Sequence, residues 1–327
     1  MKICMSEAMA EAHGERVRAL APQAEIVCLC PDGSYRGDPA GIEVVLFTLD
    51  MVLEPRSAGE AAALLGRKGL HWVQSPGAGV DHPIFQDLLA RGVRLTNASG
   101  INAEPIAQYV FTYVLHWERN VVAHQVQSRA RHREIIVSED LTAKTLGIVG
   151  LGGIGAAVAR IAKAFGMRVL GMRRQPVADP NVDEWVPTKR LHDLLGASHF
   201  VVLALPFTDE TRGMIGAPEL AAMRTDGVLI NVARGGVVDE PALIEALQAR
   251  RIKGASLDVT AEEPLPDDSP LWSLDNCVVT PHDAGYSPLS DTRLAELFLD
   301  NLARYVRGTP LRNEVASSGL SRVGSGL

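Results

Sequence analysis

The sequence has no run near the ~20 uninterrupted apolar residues that a membrane-crossing helix needs, which argues against a helical membrane anchor. It also has no excess of basic charge. Its 32 Lys+Arg against 39 Asp+Glu leave a formal net charge of −7, with a pI of about 5.7. Without a broad basic surface, nucleic acid and anionic membranes are poor candidates for the main partner. Basic residues gather at Arg129, Arg131 and Arg133 around His132, a short run that reads as a solvated stretch near a helix end. Cysteine is scarce, and none of the four sits in a C-x-x-C arrangement. Cys28 and Cys30 flank one leucine, so on a strand they share a face and are not easily bridged. Cys4, Cys28, Cys30 and Cys277 are therefore expected to be reduced and mostly buried. The start, Met1-Lys2-Ile3-Cys4-Met5-Ser6-Glu7, lacks the apolar core of a signal peptide and carries an early acid. A cytoplasmic location is the expectation.

What is present is an ordinary globular composition: 46% hydrophobic and 22% charged over 327 residues, a length that favours two domains. Short β-rich apolar runs alternate with helical patterns, the mark of α/β folding on parallel sheets. The first third offers strands at Lys2–Met5, Ile26–Leu29, Val44–Phe47, Trp72–Gln74 and Arg94–Thr96, with helical segments such as Ser57–Leu65 between them. A long helix is expected from Asn102 past Trp117, with apolar Ile106, Val110, Val114 and Trp117 at three- and four-residue spacing. A second series follows at Thr145–Val149, Met167–Met172, Val201–Ala204, Val228–Asn231, Ala255–Leu257 and Val278–Thr280. An amphipathic helix from Leu289 to Val306 closes the pattern. The small, polar, glycine-rich end from Ser317 to Leu327 reads as disordered.

The strongest local signal is Gly150-Leu151-Gly152-Gly153-Ile154-Gly155. It leaves a β-branched strand and opens an alanine-rich helix, the context that turns a G-x-G-x-x-G match into a dinucleotide-binding turn. Gly150 suits the tight turn, Gly152 lets backbone approach a pyrophosphate, and Gly155 lets helix and strand pack closely. The next strand ends in Arg173-Arg174, where an NAD-selective site places an acid for the ribose 2′-hydroxyl. An arginine pair suits a 2′-phosphate instead. NADP(H) is thus expected to be preferred, with NAD(H) possible.

Three further segments fall at strand ends: Asn231-Val232-Ala233-Arg234-Gly235, Leu257-Asp258 through Glu263-Pro264, and Thr280-Pro281-His282. Singly, each has a bland explanation as a surface or satisfied polar residue. Together, in order behind one dinucleotide turn, and with Leu205-Pro206-Phe207-Thr208 and Glu210-Thr211, they closely resemble the D-isomer-specific 2-hydroxyacid dehydrogenase family. The resemblance runs from about Val44 to Pro310.

That resemblance implies a flavodoxin-like substrate domain (1–98 with 286–327) beside a Rossmann dinucleotide-binding domain (99–285), with the active site in the cleft between them. It implies hydride transfer between a nicotinamide and C2 of a small 2-keto or 2-hydroxy acid. The catalytic set falls on Arg234, Glu263 and His282. A protonated imidazole can give a proton to the oxygen as hydride reaches C2. A carboxylate can orient that imidazole and favour its charged form, and a planar guanidinium can grip the carboxylate and polarise the carbonyl. Arg234 and His282 would touch substrate, as would the backbone amides of Ala78 and Gly79 in the Ser75–Asp81 loop. Cofactor contacts are implied for Gly150, Gly152, Gly153, Ile154, Gly155, Arg173, Arg174, Pro206, Thr211, Val232, Ala233, Asp258, Ala284 and Gly285. Asn97 and Asn102 are expected to be structural. No metal is expected, and a homodimer built mainly on the cofactor domain is implied.

The chain departs from the family pattern at Gln108, where an acid is common, and at Asp283, where an apolar residue is usual. It also has no tryptophan between Asn120 and Thr145, which leaves side-chain specificity open. Two rival readings stay in view: a dinucleotide-sensing, corepressor-like binding protein on the same fold, and a dehydrogenase of another donor such as formate or phosphite.

Overall fold

The computed structural model describes residues 1–315, so the Ser317–Leu327 end lies outside the described residues. Contacts divide the chain into two compact units, Met1–Ile101 with the segment beginning at Ser287, and Asn102–Tyr286. Each is an open, mostly parallel sheet with flanking helices. Among the described residues, no helix is long and apolar enough to cross a membrane. All four cysteines are free, and burial pushes the thiols of Cys4 and Cys277 up to about 12.

In the first unit, β1 (Lys2–Ser6), β2 (Glu25–Leu29), β3 (Tyr35–Arg36), β4 (Val44–Leu46), β5 (Trp72–Gln74) and β6 (Arg94–Thr96) form one sheet in the order β3-β2-β1-β4-β5-β6. Only β3 runs antiparallel to its neighbour. The parallel strands read as continuous apolar runs because both faces are covered. Strand β3 was not legible, because two residues at an edge carry no periodicity.

The Pro288–Val306 helix belongs to this unit. Ser287 caps it, accepting from the Leu289 N–H, and Pro288 begins it with a φ already suited to a helix. Its inner face, including Leu294, Phe298 and Leu302, packs with Ile3, Met5 and Trp72. Trp72 is fully buried, with ring centroids 5.1 Å from Phe298 and 5.3 Å from Tyr305. Its indole N–H donates to Thr96 Oγ1 at 2.9 Å, so the one polar atom is satisfied.

In the second unit, β7 (Thr145–Val149), β8 (Arg168–Met172), β9 (Glu184–Trp185), β10 (Phe200–Leu203), β11 (Val228–Asn231), β12 (Gly254–Leu257) and β13 (Cys277–Val279) form an all-parallel sheet in the order β13-β12-β11-β10-β7-β8-β9. From β7 the chain goes to β8 on one side, then returns to β10 on the other. The loops at the carboxyl ends of β7 and β10 therefore part, the place where such sheets bind ligands. The Ala103–Glu118 helix buries Ala107, Val110, Phe111 and Val114 in the same cluster as Ile148, Val158 and Ala162. Ile106 and Trp117 sit at the margin of that cluster.

Strands β10 and β13 end one residue earlier than expected. Ala204 and Thr280 still donate to Val149 and Leu257, but they belong to the loops that build the site.

The aromatic stack of Trp72 makes one stability prediction. Trp72→Ala should lower unfolding free energy by ~3–5 kcal/mol and reduce hydrogen-exchange protection in both β5 and the Pro288–Val306 helix. A change confined to β5 would show that the helix is held by other contacts.

Candidate active site

The glycine turn is built as its sequence requires. Gly150, with φ +99°, follows β7 and donates to Met172 O at 2.9 Å, tying the turn to the end of β8. A side chain on it would strike the Ala204 carbonyl beyond β10, and one on Gly155 would strike the Gly150 carbonyl. Gly153 and Ile154 open the Gly153–Ala164 helix, with Gly152 at its N-cap and no side chain capping it. The helix-start amides are thus left for an anion, and space is open where a Gly152 side chain would stand. A cavity of about 370 Å³ adjoins this turn, lined among others by Leu151, Gly152, Ala156, Arg173, Asp179 and Trp185.

The two arginines after β8 part company. Arg173 lines the cavity, with Nη1 donating to Leu151 O at 3.0 Å. Arg174 is exposed and pairs with Glu210 at 3.6 Å. The expectation treated them alike. Asp179, also in the cavity wall, went unnoticed in the sequence; its Oδ1 accepts from the Asn181 N–H at 2.9 Å. Past β10, the Thr211 hydroxyl donates to Pro206 O at 2.8 Å and closes the Pro206–Thr211 turn.

Arg234, Glu263 and His282 all stand on loops at the carboxyl ends of β11, β12 and β13. Asn231, almost fully buried at the end of β11, staples the first loop: its Oδ1 accepts from Ala233 N–H and its Nδ2 donates to Arg234 O, both at 3.0 Å. Val232 and Ala233 are buried between them. Gly235 then lies against the backbone of Thr260 and Ala261, so closely that any Cβ would fall on the Thr260 carbonyl. That contact brings the arginine loop to the loop that carries Glu263. Glu263 Oε1 accepts from the Thr260 N–H at 3.2 Å.

Glu263 Oε2 lies 2.8 Å from His282 Nδ1, with both side chains partly exposed. An ionised carboxylate only accepts, so Nδ1 carries the hydrogen and Nε2 is left to exchange a proton with a ligand. The Glu263 hydrogen bond and charge hold the His282 pKa above its ordinary value, against burial and the charge of Arg234. Burial pushes the Glu263 carboxyl up. Its bond and attraction to His282, with the Thr260 N–H and Arg234, outweigh that and keep it below the usual range. Arg234 is therefore close enough to act on both. Its Nη1 also donates to Ala233 O at 2.9 Å.

His282 adopts φ +58°, and the two amides after it donate to Asp258: Asp283 N–H at 3.0 Å, and Ala284 N–H at 3.1 and 3.2 Å to the two oxygens. Burial raises the Asp258 carboxyl despite these donors and the Thr280 hydroxyl. Asp283, the unusual residue after the histidine, sends its charge toward Tyr109, Tyr113 and Tyr286, adding to the burial that raises their phenols. Gly285 faces Asn102 at the start of the long helix. Tyr109 on that helix contacts Thr280, a link that the apolar helix pattern did not reveal.

Ala78 and Gly79 lie in the first unit, on the loop after β5. Asn97 holds that loop, donating to Ala78 O at 2.9 Å, while Ala98 N–H donates to Gly77 O at 2.8 Å. Asn97 is structural, as expected, whereas Oδ1 of Asn102 is buried without a partner.

Residues 111–284 match the family model for the NAD-binding domain of D-isomer specific 2-hydroxyacid dehydrogenases. A glyoxylate reductase from Korarchaeum cryptofilum is 40% identical over 239 residues, 70% of this chain and 71% of that protein. The glyoxylate reductase of Thermococcus gammatolerans is 36% identical over 73% of this chain and 74% of its own. A D-isomer specific 2-hydroxyacid dehydrogenase from Xanthobacter autotrophicus, solved with NADPH and MES, aligns with a TM-score of 0.79 at 31% identity, covering 97% of this chain and 98% of that one. An NADPH-dependent glyoxylate/hydroxypyruvate reductase from Sinorhizobium meliloti, solved with NADP and sulfate, aligns at 0.78 with 27% identity and the same coverage. With these matches and its loop architecture, the chain belongs to the D-isomer specific 2-hydroxyacid dehydrogenase family.

Proposed function

We propose that this chain is an NADPH-preferring reductase of small 2-keto acids, of the size of glyoxylate or hydroxypyruvate, yielding the D-2-hydroxy acid. The observation that carries the reading is the Glu263–His282 hydrogen bond with Arg234 beside it, on the strand ends that follow the glycine turn. A nicotinamide held by that turn supplies the hydride. Residues Gly150–Gly155 and Arg173 fit such a cofactor, since the helix-start amides, the open space at Gly152 and a cationic wall suit a phosphorylated dinucleotide. His282 delivers a proton from Nε2 to the carbonyl oxygen and takes it back in the reverse direction. Glu263 holds the ring and stabilises its charged form. Arg234 binds the substrate carboxylate and draws electron density from the carbonyl. Binding of that carboxylate by the amides of Ala78 and Gly79 belongs to the same proposal. Pro206, Thr211, Val232, Ala233, Ala284 and Gly285 form the rest of the proposed cofactor surface. NADH remains the weaker alternative cofactor.

The chain is proposed to form a homodimer. The Val121–Arg129 helix buries none of its residues, and Val122, Val126, Ile135 and Val137 of the same stretch are exposed, the last two by 88% and 87%. A second copy of this chain, joined through the cofactor domain as in the family, would cover them.

Four outcomes are expected. His282→Gln should lower kcat for glyoxylate reduction by ~10²–10⁴. In the wild type, reduction requires the imidazolium, whose pKa is raised chiefly by Glu263. Rate should therefore be full at low pH and fall as pH rises through that raised pKa; Glu263→Gln should move the fall to lower pH. A kcat profile that Glu263→Gln leaves in place would remove Glu263 from the mechanism. Arg173→Ser should raise KM for NADPH by about 10–100-fold, the worth of a lost charge-assisted bond, with little change for NADH and a smaller effect from Arg174→Ser. Equal losses with both cofactors would contradict the phosphate role. Light scattering should give twice the mass of one chain, and Val126→Asp with Ile135→Asp should give monomers; an unchanged mass would place the interface elsewhere.

A further inference from the structure

We infer that Tyr109 is a positioning residue for His282, acting through Thr280 and Asp258. This rests on the reading of His282 as the acid/base group.

Tyr109 Oη and Thr280 Oγ1 are 2.6 Å apart, and Thr280 Oγ1 donates to Asp258 Oδ1 at 2.8 Å. A threonine hydroxyl has one hydrogen and a carboxylate has none to give, so Thr280 is committed to Asp258. In the Tyr109–Thr280 pair the phenol must therefore be the donor. Asp258, 3% exposed, passes the constraint on by accepting from the Asp283 and Ala284 amides. Those amides immediately follow His282, whose positive φ is uncommon for a residue with a side chain and needs the surrounding structure to hold it.

Each bond in such a chain strengthens the next, and loss of the first weakens the last. The near end is rigid: Tyr109 stands between Ala107 and Val110 on a helix whose inner face is buried in the core of the unit. The relay thus ties the His282 turn to a helix packed along its inner face against the core.

Glu263, Arg234 and Asp258 act on His282, while Tyr113, Asp258 and Asp283 act on Tyr109. The charge of Asp258 favours the protonated imidazole. With its first donor lost, the set of bonds that holds the His282 turn slackens, and the Glu263–His282 bond that raises the imidazole pKa is less well made.

The test uses the full-length enzyme with glyoxylate and NADPH. Tyr109→Phe keeps the ring and removes only the phenolic hydrogen. It should lower kcat about 5–10-fold, the worth of one hydrogen bond, leave KM for NADPH nearly unchanged, and move the high-pH fall of kcat to lower pH. Thr280→Val should do the same or more, and the double variant should be no slower than Thr280→Val alone. Thr280→Ser, which retains the hydroxyl, should restore dependence on Tyr109 and serves if Thr280→Val does not fold. Multiplying losses in the double variant, or a kcat loss with an unmoved pH profile, would overturn the relay. His282→Gln separates the two readings. Full activity of that variant would sink the acid/base assignment, whereas its inactivity beside an unaffected Tyr109→Phe would sink only the relay.

Discussion

A carboxylate oxygen 2.8 Å from an imidazole nitrogen decides the tautomer of His282, the direction in which its free nitrogen can act, and the sign of its pKa shift. Little else about the site has meaning until that bond is made. Its partners come from loops nineteen residues apart in sequence, so the bond exists only if two strand ends lie side by side. Parallel pairing of β12 with β13 supplies that, in a register that sets Leu257 against Val279. The bond on which the proposed chemistry depends is thus made possible by a ladder of backbone bonds between two parallel strands.

The loops beyond those strands are shaped by buried polar side chains that are used up on the backbone. Asn231 spends its amide on Ala233 and Arg234, and Asp258 spends its carboxylate on Asp283, Ala284 and Thr280. A buried group of this kind is costly to leave unpaired, so each fixes its loop in one conformation rather than several. The groups proposed to meet substrate are the opposite: His282 and Glu263 remain partly open to solvent. Buried, fully bonded groups stand behind the side chains proposed to react, and partly open ones in front.

Much of this could be read from the residues, and the limits have physical causes. The glycine turn was legible because each requirement is local: a positive φ at Gly150, and backbone contact at Gly155. Strands of three or more residues announced themselves by apolar runs, whereas β3 and β9 are too short to show any period. Arg234, Glu263 and His282 each look ordinary alone, and only the family resemblance singled them out. Asp258 was expected to contact the cofactor. Its oxygens also hold the His282 turn, a duty invisible in sequence because its partners are main-chain amides 25 and 26 residues away. Tyr109 reads as one more helix residue, and the pairing of Arg174 with Glu210 joins two loops that no periodicity connects.

The separation of Arg173 from Arg174 also bears on how cofactor choice would be made on this scaffold. A 2′-phosphate gains from a guanidinium, which Arg173 brings to the cavity wall, while the helix-start amides at Gly152–Gly153 suit the pyrophosphate. In the same wall stands Asp179, whose charge opposes a dianion but whose free oxygen could accept from a ribose hydroxyl. Arg174, drawn toward Glu210 and mostly solvated, contributes at long range where salt screens it. Preference for the phosphorylated cofactor then rests on one well-placed cation working against one nearby acid. Such a balance favours NADPH without excluding NADH. Of the two consecutive arginines, the charge that matters to this balance is the one the fold turns toward the cavity.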